Sequence, residues 1–199
     1  MFTIPQHYTR LEPLVCWSGG FTTDEMDRII EIGDRQQFMQ GKVGNINAGE
    51  ESPTVRNSQI AWIDTNEHTS WLFKKMAELI SVINSEKFQF ELANLPNFQY
   101  TTYTTGGFYD WHIDDHHSPV YGPWHRKLGI SVLLSDPESE FTGGEFQIIP
   151  SGNPEHLEIA KCKKGDVLVF PSFVPHRVTE ILSGKRKSLV TWITGPKFK

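Results

Sequence analysis

The chain has 199 residues, of which 38% are hydrophobic and 22% charged; this is ordinary globular composition and excludes disordered and fibrous classes. A formal net charge of −5 argues against a polyanionic partner. Two cysteines, Cys16 and Cys162, are too few for a disulfide scaffold or a cysteine-rich zinc site, so a reducing compartment is expected.

Residues 1–10 show no basic region followed by an apolar stretch, and no later run is long enough to cross a bilayer, so a soluble, cytoplasmic protein is expected. The first helix is predicted from Phe21-Thr22-Thr23-Asp24-Glu25, where hydroxyl caps and two carboxylates suit the positive end of a helix dipole. Residues 41–53 are polar and glycine-containing and read as a loop at the rim of a site, and 57–63 reads as a strand. Between Asn66 and Asn84, Leu72, Met76, Leu79, Ile80 and Ile83 recur at three- and four-residue spacing. That stripe predicts a second helix, and both helices should cover one face of a sheet.

From about residue 88 the texture changes to short runs of β-branched and aromatic residues separated by Gly, Pro, Asn and Asp. Strands are predicted over 98–104, 108–113, 128–134, 145–149, 166–170, 176–181 and 188–193. Mainly β with N-terminal helices, such a chain forms a sandwich, jelly roll or barrel. No repeat, low-complexity tract or linker divides it. One domain over 1–199 is expected, with 1–87 as a helix and strand support region and 88–199 as the β core.

The chemistry concentrates in Tyr109-Asp110-Trp111-His112-Ile113-Asp114 and in Phe170-Pro171-Ser172-Phe173-Val174-Pro175-His176. His112 and Asp114, two apart on an extended segment, point to the same side. His176 begins a strand after the Pro-Ser turn and can supply a third ligand from a distance, giving a 2-His-1-carboxylate site with open coordination positions. Asp115 is an alternative carboxylate, but strand parity favours Asp114. In 184–193 the even positions place Arg186, Ser188, Val190 and Trp192 on one face. An Arg beside a Ser suits a carboxylate, although Lys185-Arg186-Lys187 also reads as a solvated basic turn. Asp115, His116 and His117 read either as rim residues that touch substrate or as a solvated loop, and Arg126 reads as an exposed residue at a strand start, with a position facing a substrate backbone or carboxylate as the alternative. His7, His68, His125 and His156 sit in surroundings without a signal.

Taken together, Tyr103-Thr104-Thr105-Gly106-Gly107-Phe108-Tyr109-Asp110-Trp111-His112-Ile113-Asp114, Gly143-Gly144-Glu145, Gly165-Asp166, Phe170-Pro171-Ser172, His176-Arg177-Val178, Gly184, Arg186, Ser188 and Trp192 resemble the Fe(II)- and 2-oxoglutarate-dependent dioxygenases, in particular their prolyl 4-hydroxylase-like group. The resemblance implies a double-stranded β-helix, or jelly-roll, core. It implies that His112, Asp114 and His176 are the catalytic iron ligands and that Arg186, assisted by Ser188 and Tyr103, binds the far carboxylate of 2-oxoglutarate beside Trp192. Fe(II), 2-oxoglutarate and O2 are the implied cofactor and co-substrates, with ascorbate as a reductant the resemblance allows. Two residues depart from the group: Arg186 stands where many members carry Lys, and Phe146 where many carry Thr.

The resemblance implies hydroxylation of a C–H bond, of a prolyl or other residue in a peptide or protein. Hydroxylation of a free amino acid or other small molecule shares every motif and is the alternative. A nucleic-acid dealkylase would need a basic face, for which Trp111, Trp124, Arg126 and Lys127 are the candidates. A non-enzymatic jelly-roll module would not require the triad and Arg186 together. Neither a nucleic acid nor a membrane is expected as partner, and the sequence does not set the oligomeric state.

Overall fold

The computed structural model describes residues 11–43, 52–115, 124–137, 139–151 and 153–197. His7, His116, His117 and most of the expected 41–53 loop lie outside the described residues. After β1 (Val15–Trp17), α1 (Thr23–Asp34) starts where its cap residues stand: Thr22 Oγ accepts the Glu25 N–H at 3.3 Å, and the Glu25 carboxylate accepts the Thr22 N–H at 2.9 Å. Short strands β2 (Met39–Gln40), β3 (Arg56–Asn57) and β4 (Gln59–Ile63) follow. α2 (Ser70–Ile83) buries Leu72, Met76, Ile80 and Ile83 along the stripe read from the sequence, and runs into a π-helical turn, Asn84–Phe88.

The β half comprises β5 (Phe98–Thr104), β6 (Phe108–His112), β7 (Trp124–Leu133), β8 (Phe141–Gly143), β9 (Phe146–Ile148), β10 (Glu158–Ile159), β11 (Val167–Pro171), β12 (His176–Val178) and β13 (Ile181–Pro196). Among the described residues, eight strands form a larger sheet in the order β1-β11-β7-β13-β5-β4-β2, with β8 paired to β13. Five form a smaller sheet, β10-β9-β12-β6-β3. All these pairings are antiparallel.

Strand alternation sorts the larger sheet's side chains onto two faces. Phe98 and Tyr100 of β5, Leu128 and Val132 of β7, Val167 and Val169 of β11, and Leu189 and Ile193 of β13 form one core with α1 and α2. Tyr103, Leu133, Leu168 and Phe170 leave the opposite face and meet Phe146, Ile148 and Val178 of the smaller sheet. The result is the expected mainly β, jelly-roll architecture, with both helices outside the larger sheet.

Four local readings change, the first being that the strand expected over 57–63 is divided between β3 of the smaller sheet and β4 of the larger. The strand expected over 176–181 is two, because β12 belongs to the smaller sheet and β13 to the larger. β13 extends well beyond 188–193, since backbone pairing with β8 and β5 carries its exposed polar start. Cys16 and Cys162, 146 residues apart, are joined in one disulfide; antiparallel pairing of β1 with β11 brings Cys16 beside the segment that leads into β11. No helix among the described residues is long and apolar enough to cross a membrane.

The end of α1 is clamped to the larger sheet. The Tyr100 hydroxyl donates to Asp34 at 2.8 Å, and Lys187 Nζ lies 2.6 Å from the other Asp34 oxygen. Gly33 permits this approach, because a Cβ there would lie 2.5 Å from the Tyr100 ring. Gly→Ala in a helix ordinarily stabilises by about 1 kcal/mol. Here overpacking reverses the sign: Gly33→Ala is expected to destabilise by about 1–3 kcal/mol, read as a lowered midpoint in denaturant unfolding.

Candidate active site

Between the sheets lies a cavity of about 350 Å³. His112 closes β6 and His176 opens β12, and the two are direct partners across that pair. Asp114 follows two residues after His112, in a segment whose backbone is tied to the turn after β11: the Asp114 and Asp115 N–H groups donate to the Ser172 carbonyl at 2.8 and 3.0 Å. Ser172, fully buried, donates its hydroxyl to the Arg126 carbonyl and its N–H to that of Lys127. The Pro-Ser turn thus sets the height of Asp114 above β7.

His112 Nδ1 lies 2.7 Å from the Asp110 carbonyl and His176 Nδ1 lies 2.9 Å from that of Val174. A carbonyl only accepts, so each Nδ1 carries a proton and each Nε2 is the nitrogen turned toward Asp114. Those Nε2 atoms converge on one carboxylate, His112 at 3.9 Å from Asp114 Oδ1 and His176 at 3.6 Å from Oδ2. The ligand atoms of the three residues lie within 4.8 Å of one another, a spacing able to hold a metal ion. Asp115 takes no part; its carboxylate lies 3.9 Å from His125 instead. Strand parity separates the two carboxylates as expected.

Packing and charge fit these groups for metal binding. Burial first, and the neighbouring His176 charge second, push His112 down to about 3, so its imidazole is neutral. Burial acts against ionisation of Asp114, but His176, His112 and Arg126 hold its carboxyl below the usual range. Gly129 makes room for that carboxylate: a Cβ there would lie 2.7 Å from Asp114 Oδ2 and 2.5 Å from the Phe170 ring. His176 is packed by Phe170 and Phe146, with ring centroids 4.5 and 5.4 Å away. His112 stacks on Tyr109 at 3.6 Å and 14°.

Arg186, Ser188, Val190 and Trp192 all line the cavity, as the even-position reading of β13 requires. Arg186 is 3% exposed, faces Tyr103 in register and donates to Ser188 Oγ at 3.3 Å. It is therefore no solvated basic turn. Its Nε is buried without a hydrogen-bond partner. Burial lowers its pKa from the ordinary guanidinium value, partly offset by Tyr103. A buried, incompletely partnered guanidinium beside a hydroxyl is a ready receptor for an incoming carboxylate.

With this arrangement in view, the comparisons with known proteins are specific. The family description "2OG-Fe(II) oxygenase superfamily" matches residues 98–194, a stretch that contains the triad and Arg186. That stretch, the β half of the chain, is similar to the 2OG-Fe(II) oxygenase superfamily. A PKHD-type hydroxylase of Rippkaea orientalis is 27% identical over 176 residues, 86% of this chain and 74% of that protein. Another, of Colwellia psychrerythraea, is 35% identical over 91 residues, 45% and 39% of the two chains. Among solved structures, a Pseudomonas putida prolyl-4-hydroxylase superposes with TM-score 0.70 at 20% identity, covering 94% of each chain. A Trichoplax adhaerens prolyl hydroxylase in complex with a hypoxia inducible factor peptide fragment gives TM-score 0.72 at 18% identity, covering 91% and 83%.

Enzymes of the 2OG-Fe(II) oxygenase superfamily use Fe(II), 2-oxoglutarate and O2, and the donor set here suits that metal: two imidazoles and one carboxylate, facially disposed. Some cavity residues were read differently from the sequence or not read at all. Arg126, expected to be exposed, is buried with its guanidinium 4.1 Å from the Trp192 ring, and it donates to the Asp114 carbonyl. Arg56 and Trp62 line the cavity from β3 of the smaller sheet and β4 of the larger, and no local pattern marked them in the sequence. Of the other residues considered for a basic face, Lys127 is buried and Arg177 lies 4.7 Å from the Trp111 ring.

Protonation opposes folding here. The unfolded His112 binds a proton below about 6.5 whereas the folded one remains neutral to about 3, and the lowered Asp114 pKa acts in the same direction. The unfolded state therefore binds more protons across that window, and stability is lost as pH falls. The metal-free protein is expected to lose melting temperature as pH drops from 7 to 5, with a shallower slope in His112→Gln. Identical slopes would contradict the buried, neutral imidazole.

Proposed function

We propose that this 2OG-Fe(II) oxygenase hydroxylates a C–H bond of a prolyl residue in a peptide or protein. His112, Asp114 and His176 hold Fe(II) through the two Nε2 atoms and the carboxylate. Arg186, with Ser188 and Tyr103 beside it, receives the far carboxylate of 2-oxoglutarate. The observation that carries this reading is the pairing of a facial His-Asp-His set with a buried guanidinium whose Nε is unpartnered, both facing one cavity. Iron alone would need only the first, and anion binding alone only the second.

When bound, Fe(II) with 2-oxoglutarate and O2 supplies the oxidation that replaces C–H by C–OH, with succinate and carbon dioxide released. The chain's own residues do the rest. The Asp110 and Val174 carbonyls hold the Nδ1–H of both histidines, which leaves Nε2 as the nitrogen each ring presents to the metal. Tyr109, Trp62, Trp192 and Phe146 line the cavity with aromatic surface that excludes water from the reacting carbon. Arg186 orients the co-substrate without competition from solvent.

Support for a prolyl peptide comes from the relatives. PKHD-type hydroxylases are similar in sequence, prolyl hydroxylases are similar in fold, and one of those was solved with a peptide. Residues from 39 to 192 line one cavity, which supports reading 1–199 as a single catalytic domain.

The test is incubation with Fe(II), ascorbate, 2-oxoglutarate, O2 and a proline-containing peptide library, reading succinate and a one-oxygen mass gain on the peptide. Oxygen on proline within a peptide is expected, and His176→Ala should abolish it. Arg186→Ala should raise the KM for 2-oxoglutarate by about 10- to 150-fold, the equivalent of about 1.5–3 kcal/mol for a charged hydrogen bond. Oxidation of free amino acids with every peptide untouched would instead establish the small-molecule reading.

A further inference from the structure

We propose that Arg56 is a positioning residue for the metal centre: its guanidinium holds the Tyr109 ring, and the ring holds the plane of the His112 imidazole. The proposal rests on the reading of His112, Asp114 and His176 as metal ligands.

The geometry is a layered stack. β3 pairs with β6 so that Arg56 stands opposite Tyr109. The Arg56 guanidinium lies 4.5 Å from the centre of the Tyr109 ring. Tyr109 in turn lies parallel to His112, 3.6 Å away. A ring stacked this closely on one partner has a single face left, so guanidinium and imidazole occupy opposite faces of Tyr109.

The cation is itself fixed. Arg56 is 5% exposed, its Nε donates to Ser58 Oγ at 2.8 Å and its Nη1 to the Lys42 carbonyl at 3.3 Å. Gly41 leaves space for it, since a Cβ there would approach Nε to 2.6 Å. Among the described residues no carboxylate forms an ion pair with Arg56. Burying a cation is costly, and the face of an electron-rich ring offsets part of that cost here.

The two histidines differ in how they are held. Both have one hydrogen bond at Nδ1, which fixes a point on the ring but not its rotation about the axis through that point. His176 has its plane set by Phe146 and Phe170 on a buried strand. His112 has Tyr109, whose position depends on Arg56. A ligand nitrogen that swings off the metal direction lowers affinity, and loss of such outer supports costs about 10- to 100-fold in metal binding.

The sign of the effect separates positioning from charge. Were Arg56 acting only as a nearby positive charge, its removal would tighten binding of a dication; positioning predicts weaker binding. The experiment titrates the full-length chain with Co(II) alone by calorimetry, in wild type, Arg56→Met, Arg56→Lys, Tyr109→Leu and the Arg56→Met/Tyr109→Leu double variant. Arg56→Met is expected to weaken Co(II) binding about tenfold, with Arg56→Lys recovering part of the loss. In the Tyr109→Leu background Arg56→Met should add nothing, because its effect passes through the ring. Wild-type or tighter affinity in Arg56→Met, or full additivity in the double variant, overturns the proposal. If Arg56→Met does not fold, Tyr109→Leu decides: about tenfold weaker binding supports the stack, and wild-type affinity overturns it. No Co(II) binding by the wild-type chain would overturn the metal-site reading and this proposal with it.

Discussion

His176 and His112 stand as direct partners across β12 and β6, and everything else at the site is built around that register. In a strand pair a slip of one residue turns every side chain to the other face. A slip here would send His176 outward and leave His112 and Asp114 as an incomplete pair. The register is held from both sides: β12 also pairs with β9, where His176 faces Ile148, and the turn that precedes it is locked to Asp114 through the Ser172 carbonyl.

The second requirement is that polar groups survive burial between two sheets. The larger sheet divides the labour through alternation. One face packs Phe98, Tyr100, Leu189 and their neighbours under the helices. The other carries Arg186, Ser188, Trp192 and Gly129 toward the cavity. The apolar face supplies the burial that offsets placing a guanidinium and a carboxylate in the opposite layer. Cation–aromatic contacts recur around the cavity, with Arg126 on Trp192 in the larger sheet and Arg56 on Tyr109 in the smaller.

Much of this was legible in the residues because short-range rules govern it. Period-two alternation placed His112 with Asp114 and Arg186 with Ser188, and three- and four-residue spacing placed the α2 stripe. Capping chemistry marked the start of α1. What escaped was set by long-range pairing. Arg126 reads as an exposed strand start, and only the approach of β13, which brings Trp192 over it, buries it. The Cys16–Cys162 bridge depends on β1 joining β11 from across the chain. Arg56 carries no local mark, since its partner Tyr109 lies on another strand. The split between β12 and β13 was hidden because consecutive residues join different sheets without a strong turn signal.

The central claim is that one cavity holds both a facial iron site and a receptor for the co-substrate's far carboxylate. Anaerobic titration of the protein with Fe(II) and 2-oxoglutarate, followed by visible absorption, tests it most directly. A weak charge-transfer band is expected that saturates at one equivalent of each, vanishes in His176→Ala, and requires more 2-oxoglutarate in Arg186→Ala. Absence of the band in the wild-type protein, or its persistence with His176 removed, would contradict it.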